Sequence, residues 1–227
     1  MTYAGLFKVW ATVLVAILAA ILLSVAAFTT GAAAQEAGCT GDVVLDAGHG
    51  GTDSGAVNNK YGLKEKEQTL DVATRLKALL VDDGCTVYMT RTLNSQTLSN
   101  NDRYTYANTT GADVLVSIHM NASSNSSTDY TTTLFGKWRK DKELATTVFG
   151  SLSTLPAADG TGTIATRTPY SFASGVLLKS NMPAIIAETV FITNDGEGQL
   201  LSNGTRVRQQ QIAEALRVGI EDYLTTH

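Results

Sequence analysis

Three residues with chemical potential stand where apolar runs stop. His49 follows the run at 43–46 in VVLDAGHGG, His119 closes VLVSIH, and Glu188 follows four apolar residues in AIIAE. In an open α/β sheet, functional groups gather beyond the carboxyl ends of parallel strands. Two imidazoles and a carboxylate there would suit a catalytic zinc ion, which keeps a fourth position for water. Such a metal brings the pKa of water toward neutrality. A second carboxylate nearby could take the water's proton and pass it to a leaving amine. Glu65, in GLKEKEQTL, opens the segment after the first strand and reaches the same edge.

Each of these residues also has a plainer reading. A lone histidine at a strand end is commonly a hydrogen-bonded structural residue, and no HExxH motif is present. Lys64, Lys66 and Glu67 surround Glu65, so the cluster also reads as a solvated helix start, and on pattern alone Glu67 serves as well as Glu65. Glu188 is harder to set aside, because a carboxylate after an apolar run needs a partner or a task. The third histidine, His227, is the final residue.

The elements that would position these groups alternate along the chain. Apolar runs predict strands at 43–46, 86–90 and 114–118. Leu70, Ala73, Leu76, Leu79 and Leu80 share one face of a predicted helix at 65–83, which Gly84 ends. A short helix is expected at 98–108, an edge strand at 130–135 and a helix at 141–152. Residues 121–128 and 156–172 read as loops, 175–178 and 184–187 as further strands, and 206–224 as a closing amphipathic helix. Strands alternating with helices predict a three-layer α/β/α domain with a mostly parallel sheet of about six strands. The glycines at 48, 50, 51 and 55 allow tight turns beside the first histidine.

Composition bounds the rest. With 44% hydrophobic and 17% charged residues the chain is globular, and a net charge of −4 argues against nucleic-acid binding. The run at 9–28 is uncharged and twenty residues long, enough to span a bilayer, while Ala32-Ala33-Ala34 offers a signal-peptide cleavage site. Residues 1–40 are therefore expected to be a signal peptide or a retained membrane anchor with a short linker, and residues 41–227 the folded domain. Either reading exports the domain. Cys39 and Cys85 precede two strands joined by a helix, so both fall at one edge of the sheet. A Cys39–Cys85 disulfide is expected in an oxidising compartment, with two buried thiols as the alternative.

Five segments now carry a resemblance. VVLDAGHGGTDSGAV, GLKEKEQTL, TRTLNSQTLSNNDRYTYAN, GADVLVSIHMNA and MPAIIAETVFITN resemble, in order, the successive blocks of the zinc-dependent N-acetylmuramoyl-L-alanine amidases. The resemblance runs from Val43 to the last helix. It implies that His49, Glu65 and His119 bind one Zn2+ per chain, that Glu188 is the general base, and that Arg103 is structural. It thereby favours Glu65 over Glu67. The implied activity is hydrolysis of the amide between N-acetylmuramic acid and L-alanine in peptidoglycan. The alternatives are a zinc peptidase acting within the stem peptide and a silent wall-binding module of the same fold. Met120, Val190 and Lys179 depart from the family pattern and bear on pocket shape. Residues 120–174 look too short and polar to carry the inhibitory helix of some relatives. A monomer is expected, with membrane contact only through the N-terminal segment.

Overall fold

A computed structural model describes residues 39–227, so the expected signal peptide or anchor lies outside the described residues except for Cys39 and Thr40. Among the described residues no helix is long and apolar enough to cross a membrane. The chain runs β1 (Asp42–Ala47), β2 (Val57–Asn58), β3 (Leu63–Lys64), α1 (Glu65–Asp82), β4 (Thr86–Met89), α2 (Asn100–Thr110) and β5 (Val114–Asn121). It continues with β6 (Thr132–Phe135), α3 (Trp138–Leu152), β7 (Tyr170–Ser171), α4 (Gly175–Lys179), β8 (Ala184–Phe191), α5 (Asp195–Ser202) and α6 (Val207–Thr226).

Six strands form one sheet in the order β4-β1-β5-β8-β6-β7. The first four are mutually parallel; β6 runs antiparallel to β8 and parallel to β7. Strands β1, β5 and β8 are buried on both faces, which is why they read as continuous apolar runs rather than alternating ones. On one face Leu45, Val116 and Ile185 pack with Leu76 of α1, Val148 of α3 and Leu216 of α6. On the other, Val44, Leu115 and Ile186 pack with Ala107 of α2 and Val176 of α4. The expected three-layer α/β/α fold is thus present.

Two sequence expectations are corrected. Residues 175–178, expected as a strand, form helix α4, with Val176 and Leu177 buried under it. A run of three apolar residues carries no periodicity that separates strand from helix. The sixth strand is instead Tyr170–Ser171, inside the stretch expected to be loop, and it displaces β6 from the sheet edge. Helix α5 was not anticipated, although Asn194 caps it by accepting a hydrogen bond from Glu197 N.

Helix α3 belongs to the core rather than to a cover over the strand ends. Asp141 is fully buried near its start and accepts hydrogen bonds from the N–H groups of Gly136, Lys137 and Ala184. Leu144, Ala145, Val148 and Leu152 are likewise fully buried.

Cys39 and Cys85 are joined by a disulfide, with their Cα atoms 4.9 Å apart. The bridge ties the start of β1 to the start of β4 across a sequence separation of 46 residues. Closing a loop of that length restricts the unfolded chain, and replacing both cysteines by serine is expected to cost about 2–4 kcal/mol. Denaturant unfolding of the two proteins without reductant measures this; equal midpoints would show that the bridge adds nothing.

Candidate active site

The site lies at the carboxyl ends of β1, β5 and β8, and the sheet's pleat fixes which groups face it. In β5, Ser117 and His119 share one face while Val116 and Ile118 point into the opposite core; in β8, Glu188 shares that face with Ile186. His119 and Glu188 are register partners on adjacent strands. Asp46 of β1, the register partner of Ser117, lies on the same floor. The cleft above it has a volume of about 510 Å³, with Leu134, Tyr170 and Phe172 on the side away from His49. A more open hollow of about 550 Å³ between α3 and α6 contains none of these groups.

Glu65 is delivered by the small hairpin of β2 and β3. Its N–H donates to Ala56 O (2.9 Å), which sets the first turn of α1 against the loop after β1. The carboxylate is almost wholly buried. Oε2 accepts from Ala56 N (2.9 Å) and lies 3.1 Å from His49 Nε2. Oε1 accepts from Met120 N (2.9 Å) and lies 3.1 Å from His119 Nδ1. One potential ligand atom from each of His49, Glu65 and His119 falls within 4.8 Å of the others. Glu67 is not part of this group, and His227 is stacked on Tyr223.

His49 owes its place to an uncommon backbone. Its φ is 61°, in the left-handed region that costs a non-glycine residue about 1–3 kcal/mol unless the surroundings hold it. Buried arginines hold it. Arg103 donates to His49 O (2.8 Å) and Ala47 O (2.9 Å), while Arg91 donates to Gly48 O (2.9 Å) and Ala47 O (2.8 Å). Two glycines are fixed by close approach. A Cβ on Gly48 would come within 2.5 Å of the His119 ring, and one on Gly55 within 2.6 Å of both Glu65 Oε2 and the His49 ring.

The charges of the donors are coupled through Glu65. Burial opposes charge on Glu65, but the adjacent His119 and His49 outweigh it and hold the carboxyl far below the usual carboxylate range. Burial likewise opposes charge on His49, yet hydrogen bonds and charge from Glu65 and Asp53 raise its pKa to about 9. Glu188 differs: burial is its largest influence and pushes its pKa up, against the pull of His119. Part of the residue faces the cleft, but Oε2 is enclosed and has no hydrogen-bond partner among the described residues.

The donor set passes a test of fit for zinc on its own chemistry. It offers two imidazoles and one carboxylate, three protein ligands with room for a fourth position, at the mouth of an open cleft. The sequence reading missed two residues of the surroundings. Arg91 is buried and Asp53 binds the far side of the His49 ring. The only sequence signal for Asp53 was its spacing of four residues from His49 within a glycine-rich turn. Of the positions that depart from the family pattern, Met120 and Val190 are buried and Lys179 sits over the Tyr104 ring.

A three-layer α/β domain with this donor set and an unpaired carboxyl in one strand-end cleft is the arrangement of a metal-assisted hydrolase. Comparison with known proteins is more specific. Residues 43–222 match the family model described as N-acetylmuramoyl-L-alanine amidase, and the chain belongs to that family. It is 32% identical to N-acetylmuramoyl-L-alanine amidase LytC of Bacillus subtilis over 80% of this chain and 35% of LytC. It is 36% identical to the probable cell wall amidase LytH of Staphylococcus saprophyticus over 77% of this chain and 57% of that protein. The chain therefore spans only about a third to rather more than half of these two relatives. A crystal structure of an N-acetylmuramoyl-L-alanine amidase from Clostridium difficile 630 superimposes with a TM-score of 0.73 at 33% identity, covering 83% of this chain and 98% of that one.

Proposed function

We propose that this protein hydrolyses the amide between N-acetylmuramic acid and L-alanine in peptidoglycan, using one zinc ion held by His49, Glu65 and His119. The observation that carries the reading is the convergence of those three donors with the unpaired Glu188 carboxyl in one open cleft. Zinc bound there supplies Lewis acidity, polarising the scissile carbonyl and lowering the pKa of water toward neutrality. Glu188 acts as general base. It takes a proton from the attacking water as the C–O bond forms, then gives that proton to the L-alanine nitrogen as the C–N bond breaks. Burial raises its pKa, which makes it a stronger base than a solvated carboxylate. Arg91 and Arg103 hold the backbone that carries His49, and Ile186 and Leu134 line the cleft with Glu188.

We further propose that residues 41–227 are the catalytic domain of a monomer acting outside the cytoplasm, exported by residues 1–40 as signal peptide or anchor. The uncharged run at 9–28, a disulfide suited to an oxidising compartment and a relative named as a cell wall amidase support this.

The test is a digest of purified peptidoglycan by the protein, with zinc and with a chelator. The expected products are stem peptides with a free amino-terminal L-alanine, lost on chelation and restored by zinc. Cuts inside the stem peptide would replace the reading with a peptidase. Folded, zinc-loaded protein that yields no product would replace it with a binding module.

A further inference from the structure

The aspartate in the turn after β1 has a defined relation to one imidazole. Asp53 Oδ2 lies 2.8 Å from His49 Nδ1, while His49 Nε2 faces Glu65. We propose that Asp53 is a positioning residue for His49, holding the ring so that Nδ1 carries the proton and Nε2 is free to bind the metal. This rests on reading His49, Glu65 and His119 as the metal ligands.

Three features of the turn support the assignment. First, Asp53 is held by its own backbone. Gly50 and Asp53 exchange N–H···O bonds of 2.9 and 3.0 Å, so the side chain projects from a fixed bridge. Second, both carboxylate oxygens are occupied: Oδ1 accepts from Gly55 N (3.0 Å) and Oδ2 meets the imidazole. Asp53 is thus directed at the ring rather than offered as a further ligand. Third, the two imidazoles are held differently. His119 turns Nδ1 toward Glu65, and its ring packs against Gly48, where even a Cβ would not fit. His49, as exposed at its side chain as His119, turns Nε2 toward Glu65 and has the Asp53 carboxylate at Nδ1.

A carboxylate on the outer nitrogen of a ligating histidine fixes its tautomer and orientation and raises its basicity as a ligand; losing such a partner typically costs 10–100-fold in metal affinity. The side chain is 61% exposed and makes no core contact, so its removal leaves the hydrophobic layers intact.

The experiment measures zinc affinity by competition with a chromophoric chelator for the parent, Asp53→Ala and Asp53→Asn, with thermal unfolding of each zinc-free protein as a control. Asp53→Ala is expected to bind zinc about 10–100-fold more weakly with little change in zinc-free unfolding temperature. Asp53→Asn is expected to fall between, because one amide oxygen cannot serve both His49 and Gly55 N. Long-range 1H–15N spectra of the zinc-loaded parent should show His49 protonated at Nδ1. Zinc affinity of Asp53→Ala within twofold of the parent, or a parent His49 protonated at Nε2, would overturn the assignment. A parent that binds no zinc would instead remove the metal reading on which it depends.

Discussion

Replacing Glu188 by alanine is expected to leave zinc affinity unchanged and to lower kcat by about 10²–10⁴-fold, the usual contribution of a positioned general base. The side chain touches none of Glu65, His49 or His119 by hydrogen bond, so the donor set survives its loss. The same substitution is expected to leave the fold as stable as before, or more so. An enclosed carboxyl oxygen without a partner costs free energy in the folded state, and burial already raises its pKa. Removing it relieves that cost while slowing the chemistry, as expected of a residue kept for activity rather than for folding. Three measurements on one variant check this: zinc titration, the peptidoglycan digest and thermal unfolding. A variant that turns over like the parent would remove Glu188 from the mechanism. One that unfolds at a much lower temperature would show that its carboxyl has a structural partner.

The strand ends were legible because β1, β5 and β8 are buried on both faces. A strand in that position is one apolar run, and the first polar residue after it marks the edge where function collects. The cysteines were legible through the same topology, since a βαβ unit places the starts of its two strands side by side. The choice between Glu65 and Glu67 was not legible from pattern. Both stand in the first turn of α1, and the turn of the β2–β3 hairpin decides which faces the histidines. Strand β7 escaped because two residues carry no periodicity, and α4 was misread because its three apolar residues fit either state. Asp53 and Arg91 escaped for another reason. Their importance lies in what they bond, Nδ1 of one ring and the backbone carbonyls of Ala47, Gly48 and Lys66, and spacing in sequence does not encode a hydrogen-bond partner.

The largest stability effect is expected at Arg103. Its guanidinium donates to Asp46 Oδ1 at 2.6 Å, and both side chains are nearly inaccessible. Burial would raise the Asp46 pKa, but Arg103, with Ser117 and Thr90, outweighs it and holds the carboxyl below its ordinary 3.8. Arg103→Leu leaves a buried carboxylate with two hydroxyl donors but without its hydrogen-bonded cation, which is expected to cost about 3–5 kcal/mol. Against a total stability of roughly 5–15 kcal/mol this threatens folding. It also removes the donor that holds His49 O, so zinc affinity should fall together with stability. The pH dependence has a definite sign. In the parent, the Asp46 contribution is present above its unfolded pKa and is lost as pH falls through the lowered folded value. In the variant burial is opposed by the Ser117 and Thr90 hydroxyls without Arg103, so the folded Asp46 pKa lies above the parent's and less stability is lost as the pH falls. The gap between the two proteins should therefore be widest near neutrality and shrink in acid. Adding Asp46→Leu should recover part of the loss, because a buried pair removed as a whole costs less than one partner removed alone. Denaturant midpoints of parent, single and double variants across pH test all of this. A gap that does not change with pH would mean that the carboxylate is not what makes Arg103 necessary.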